Sequence, residues 1–254
     1  DANKVDLSSF SLWYRQAGTP QLSAKRLQYD GQHLTLELSQ KLAPTAAGTP
    51  TDAMPIPVRL GFVAGDGRPL AHSIDSSAPA EEHIVLLEGD KQLVEIRFAD
   101  GQSAAEAVPS LLRGFSAPVR LYDDLCAEEL GVLAAYDADS FNRYEACQRL
   151  GHNVLHARLD GKEDSQSEAA LIHALRLVLA DKTRRDDFKA LCLSIPGQAD
   201  TEQRAEQADP PKIFAQRMDL QARLGQALQE DIRPIIQDMA HLENAAGRSL
   251  QNRL

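Results

Sequence analysis

Long apolar runs, a cysteine framework and basic stretches are all missing from this 254-residue chain. No segment approaches the roughly 18 consecutive apolar residues of a membrane span, so none is expected. The three cysteines, Cys126, Cys147 and Cys192, are odd in number and widely spaced, with no Cys-x-x-Cys pair. That excludes a disulfide framework and a zinc ribbon, and reads as reduced, mostly buried thiols in a cytoplasmic protein. The net charge is −10, with −3 on residues 1–122 and −7 on residues 123–254. An acidic chain without a basic run argues against nucleic acid or an anionic membrane as partner. The N-terminus, Asp1 to Lys4, has no Met, basic n-region or apolar h-region. No signal peptide is read there, and a chain starting on Asp reads as processed or engineered.

Signatures of catalysis are also missing. There is no Gly-x-Ser-x-Gly elbow for a nucleophilic serine. Gly65-Asp66-Gly67 is followed by neither phosphate-loop pattern and reads as a turn. The sharpest local candidate is His152 with His156, two imidazoles at i and i+4 that could share a zinc ion on one helix face. A hydrolytic zinc helix also needs a Glu after the first His as general base. Here Asn153 stands in that place, its amide cannot take the proton, and no third ligand is identifiable. The pair therefore reads as two surface histidines on a solvated helix end. His173, beside an apolar stripe, reads as a structural residue. Cys–His catalysis needs a spatial pair that no spacing indicates. Asp123-Asp124, Glu128-Glu129 and Asp186-Asp187 lie at helix starts, where acid complements the dipole. Phe10, Trp13 and Tyr14 read as aromatics packed on a neighbouring domain, because a short helix cannot bury them alone. No residue of this chain is thus assigned to catalysis, to a cofactor or to a metal.

What is present divides into two halves. With 43% apolar residues the chain can bury a sizeable core. Leu7, Phe10, Leu12, Trp13 and Tyr14 read as a short helix stopped by Gly18-Thr19-Pro20. Leu22 to Tyr29, Asp30-Gly31 and His33 to Gln40 read as a hairpin, with Leu34, Leu36 and Leu38 facing inward. Residues 43–55 read as a surface loop. Strands are expected at residues 55–63, 83–87, 93–98, 109–113 and 118–122, a sandwich of about 100 residues. Near residue 123 the apolar period changes from two to 3.6. Helices are expected from Cys126 to Tyr136, from an Asp139-Ser140 cap to Leu155, from a Ser165–Glu168 capping box through Leu179, from Asp187 to Ile195, from Asp209-Pro210 to Leu228, and over Ile232 to Leu242. Short linkers suggest an antiparallel helical stack or solenoid. Ser249 to Leu254 looks like the start of a further helix without a stop, as in a truncated chain.

Four segments resemble bacterial aminopeptidase N, a zinc metallopeptidase family. Phe10 to Pro20 (FSLWYRQAGTP) is similar to the segment leaving that family's catalytic domain. Leu34 to Gln40 (LTLELSQ) resembles its next strand, and Pro109 to Val119 (PSLLRGFSAPV) the strand before its helical domain. Asp139 to Gln148 (DSFNRYEACQ) resembles the helix that follows. Order and spacing agree, well over residues 1–195 and loosely beyond. The resemblance implies an all-β immunoglobulin-like sandwich followed by an all-α, armadillo/HEAT-like helical stack. It assigns residues 1–20 to the end of a catalytic domain, 21–122 to the sandwich and 123–254 to the first part of a helical domain. It implies that peptides and the other domains of the parent enzyme are the partners, and that zinc belongs to the parent. The family's His-Glu-x-x-His and Gly-x-Met-x-Asn motifs do not occur here, so none of its catalytic or metal residues carries over. The expected role is a non-catalytic spacer and chamber wall that controls substrate access. The alternatives are a free-standing protein-interaction module and a small metalloenzyme using His152 and His156.

Overall fold

The computed structural model describes residues 7–42, 52–205 and 209–237. Expectations for residues 43–51, for Met239 and Leu242, and for Ser249 to Leu254 lie outside the described residues. The chain falls into two compact units, Asp1–Arg143 and Tyr144–Leu254.

The first unit is built on two sheets. A short helix α1 (Leu12–Arg15) precedes β1 (Gln21–Asp30), β2 (His33–Lys41), β3 (Ile56–Val63), β4 (His72–Ile74), β5 (Glu82–Leu87), β6 (Lys91–Phe98), β7 (Val108–Leu111) and β8 (Arg120–Tyr122). One sheet has the order β4-β6-β2-β1-β8, the other β5-β3-β7. The hairpin forms as the Asp-Gly turn dictates, with Gln21 opposite Lys41 and Asp30 opposite His33. A register shift between Arg26 and Gln28 turns Leu27 out to solvent. Alternation sets the core: Leu34, Leu36 and Leu38 meet Ile56, Val58, Leu60 and Phe62, all at most 1% exposed. Each such side chain contributes about 1.5–3 kcal/mol by leaving water. The three-residue β4 gives too short a pattern to read in the sequence. β7 ends at Leu111, two residues early, because Leu112, Gly114 and Phe115 take left-handed φ of 57°, 61° and 54° and turn the chain.

α2 (Ala127–Tyr136) belongs to this unit. It covers β3 and β7 with Leu130, Leu133, Ala134 and Ala135, which explains why Leu60 to Val63 are buried on both strand faces. Gly67 lies beneath it. A Cβ there would come within 2.9 Å of Tyr136 Cβ, Cγ and Cδ1, and its φ is +88°. The Gly65-Asp66-Gly67 turn is therefore a packing device, its second glycine required by close approach and backbone together.

The remaining helices are α3 (Ser140–Leu159), α4 (Ser165–Ala180), α5 (Asp186–Leu193), α6 (Gln198–Arg204) and α7 (Pro210–Ala227), with residues 229–237 helical again. α3 begins as expected, Asp139 Oδ1 accepting the Asn142 N–H at 2.9 Å. α4 does not use Ser165 as its cap. Asp164 takes that place, accepting the Ser167 N–H at 2.9 Å. This leaves Glu168 to bind Arg158 of α3 and Arg223 of α7, at 2.9 and 2.8 Å. α6 has no apolar stripe, only Thr201 buried, so periodicity could not announce it. The second unit's core is Leu150, Val154, Leu155, Leu171, Leu175, Val178, Cys192, Ile213, Leu220 and Leu224.

Candidate functional site

His152 is not a surface residue: it is 4% exposed, on the inner face of α3. The expectation of two solvated histidines is corrected for it, while His156 is half-buried one turn on. The cause is α6, which the sequence did not reveal. From it Asp200 reaches His152 Nε2 at 2.6 Å. Arg204, one turn after Asp200, shares the carboxylate at 3.2 Å. Burial holds the His152 imidazole below its ordinary pKa, and the Arg204 charge adds to this, while the Asp200 bond opposes it. Burial works to raise the Asp200 carboxyl, but its bonds to His152 and Arg204 outweigh that and hold it low.

A histidine gripped by a carboxylate is half of a relay. The other half needs a nucleophile or substrate at the second ring nitrogen. That atom, His152 Nδ1, is buried with no hydrogen-bond partner. The His152 and His156 rings lie 5.8 Å apart, centroid to centroid, and tilted by 35°. Among the described residues no three His, Cys, Asp or Glu lie together as a metal site would require. The set does not fit a zinc ion, and the chemistry available here is structural: a tie from α3 to α6. Asn153, in the place of a general base, is exposed, its amide 3.3 Å from the Ser167 hydroxyl.

The other candidates scatter. His173 is exposed on α4 rather than packed. Cys126 is exposed at the α2 start, its thiol pushed up by burial, and Cys147 and Cys192 are buried in the second unit. Asp124 and Glu129 both grip Arg26 of β1, and Glu129 also accepts the Cys126 N–H at 2.9 Å. Glu128 stays exposed. Asp186 and Asp187 sit in the first turn of α5, Asp187 paired with Arg185 at 2.8 Å. Of the aromatics, Trp13 packs on this chain's own sandwich core and donates from Nε1 to the Pro55 carbonyl at 3.0 Å. Phe10 and Tyr14 stack edge to face at 5.9 Å and stay exposed.

Among the described residues there is also a buried polar cluster that no sequence motif announces. Ser110, Arg113, Asp137 and Asn142 are all buried and bonded to one another, where α2 ends against the sandwich. Burial raises the Asp137 carboxyl, against the Ser110 hydrogen bond and the Arg113 charge.

Comparisons with known proteins bear on the family. A family profile described as a domain of unknown function (DUF3458_C) with ARM repeats matches residues 127–254. A second, described as a domain of unknown function (DUF3458) with an Ig-like fold, matches residues 18–124. The chain belongs to the DUF3458_C family. Its fold is thus an immunoglobulin-like sandwich followed by helical ARM repeats, the class expected above. Aminopeptidase N of Caulobacter vibrioides is 36% identical over 242 residues, which is 94% of this chain and 26% of the relative. Aminopeptidase N of Haemophilus influenzae and of Escherichia coli are each 26% identical over 91% of this chain and 26% of their own length. The chain spans about a quarter of the length of the curated relatives it matches. The resemblance to aminopeptidase N holds over more of the chain than the four segments suggested, extending past residue 195. Among solved structures, Legionella pneumophila aminopeptidase A in complex with aspartic acid superposes with a TM-score of 0.71. It is 21% identical and covers 90% of this chain and 24% of the other, a likeness of fold.

Proposed function

We propose that this chain serves as a non-catalytic region of a zinc-dependent aminopeptidase N that removes N-terminal residues from peptides in the cytoplasm. The sandwich is a spacer that orients the helices, and the helical part is chamber wall that controls substrate access. Residues 1–20 are then the end of the catalytic domain, and the other domains of that enzyme are this chain's partners. The observation that carries the reading is the match of 94% of this chain to 26% of an aminopeptidase N. The absence of His-Glu-x-x-His and Gly-x-Met-x-Asn from the sequence accords with it. So does the His152–Asp200 pair, in which, among the described residues, the buried Nδ1 of His152 meets no hydrogen-bond partner.

The test uses this chain alone. Metal analysis after dialysis, paired with hydrolysis of alanyl and leucyl amides, is expected to show neither stoichiometric zinc nor turnover. Zinc near one equivalent together with turnover would overturn the proposal. His152→Ala with His156→Ala would then show whether those residues hold the metal.

A further inference from the structure

The contact of α2 with the sandwich holds more charge than packing requires. Arg113 leaves the end of β7 through the left-handed turn and extends its guanidinium over Gly61. A Cβ at position 61 would stand 3.2 Å from Arg113 Nη1 and 2.9 Å from the Glu81 carbonyl oxygen, so the glycine makes room for the cation. Arg113 Nε donates to Glu82 at 2.7 Å. Its Nη1 donates to Asp137 Oδ1 at 3.0 Å and to the Ser110 hydroxyl at 3.1 Å. Ser110 donates to Asp137 Oδ2 at 2.5 Å. Asn142 Nδ2 donates to Ser110 at 2.8 Å and to the Leu111 carbonyl at 2.9 Å.

The network is saturated. The Ser110 hydroxyl uses its one donor on Asp137 and both acceptor positions on Arg113 and Asn142. Asp137 is fully buried, and its Oδ1 also accepts the Asp139 N–H at 2.9 Å. Slide α2 by one turn and several of these buried groups lose partners together, each at the cost of its desolvation. The apolar face of α2 imposes no such condition. It is Leu130, Leu133, Ala134 and Ala135, non-directional and mostly small. A buried ion pair is a poor source of net stability, because desolvation offsets the attraction.

We infer that Arg113, Asp137, Ser110 and Asn142 form a register lock that admits one docking of α2 and the first turn of α3 on the sandwich. The lock acts on specificity and leaves net stability nearly unchanged. This deepens the spacer role proposed above and rests on it for its purpose. The lock itself is testable in this chain without any peptidase assay, so the two readings can fail separately.

The experiment compares wild type, Asp137→Leu, and Arg113→Met combined with Asp137→Leu, in the full chain. Asp137→Leu takes the buried acceptor from Arg113 Nη1 and Ser110, leaving Glu82 as the guanidinium's remaining carboxylate partner, and the midpoint of thermal unfolding is expected to fall by about 10 °C. The double variant is expected to recover to within about 3 °C of wild type. Its amides across residues 127–143 should nonetheless exchange about tenfold faster, while those of His33–Lys41 keep their wild-type rates. Wild-type protection of residues 127–143 in the double variant would overturn the lock, because apolar packing would then suffice for register. A double variant that does not recover its midpoint would overturn it also, by showing that the pair contributes net stability. If Asp137→Leu alone fails to fold, the double variant still decides.

Discussion

Phe62→Ala is expected to destabilise the sandwich by about 3–5 kcal/mol. Phe62 is 1% exposed, one residue before the end of β3. Its ring stands edge to face against Phe98 at 5.0 Å and His72 at 4.9 Å. Removing it loses the buried area, leaves a cavity, and ends two aromatic contacts of about 0.5–1.5 kcal/mol each. Scanning calorimetry should show the sandwich transition lowered by about 10 °C. Phe62→Leu keeps most of the volume and should lose about a third as much. A fall of only one or two degrees for Phe62→Ala would mean that the two sheets do not share this core.

Acid should weaken the same core through His72. The ring is fully buried between Phe62, Phe98 and His83. Its Nδ1 lies 3.0 Å from the Leu70 carbonyl, while Nε2 is buried without a partner. Burial pushes its pKa down to about 4; the Leu70 hydrogen bond opposes this and the His83 charge adds to it. The folded value is below the ordinary 6.5, so on acidification the unfolded chain takes the proton first. The stabilisation is complete above pH 6.5 and is lost as pH falls from there toward 4. The loss should be on the order of 2 kcal/mol after allowance for solvent screening. His152, also held low by burial, adds in the same direction. Asp137 and Glu145, both raised by burial, act oppositely, because their folded forms take protons before the unfolded chain does. His72→Phe isolates the histidine. Between pH 7 and 5 its unfolding midpoint should fall clearly less than that of wild type. Equal slopes for the two proteins would exclude His72 as the titrating group.

These residues also show what the sequence could carry. The hairpin was legible because Asp30-Gly31 marks a turn and Leu34, Leu36 and Leu38 alternate around it. The helices were legible where a stripe such as Leu171, Leu175 and Val178 repeats at 3.6. Periodicity failed at β4, which has three residues, and at α6, where Thr201 is the buried side chain. Missing α6 had a consequence at the site. Without Asp200, nothing in the sequence separates a buried His152 from a solvated one. The lock around Ser110, Arg113, Asp137 and Asn142 was illegible for a related reason. Its members lie on β7, the turn after it, the α2–α3 link and α3, up to 32 residues apart, and each alone reads as an ordinary polar residue. One signal was available. Gly61 interrupts an apolar strand, and a strand glycine marks a close approach.

The functional reading rests on relatives about four times as long as this chain. The most direct measurement of its central claim is therefore the sequence of the transcript from which this chain is translated. The account predicts a His-Glu-x-x-His motif in frame upstream of Asp1. A start codon immediately before Asp1, with no such motif upstream in frame, would contradict it.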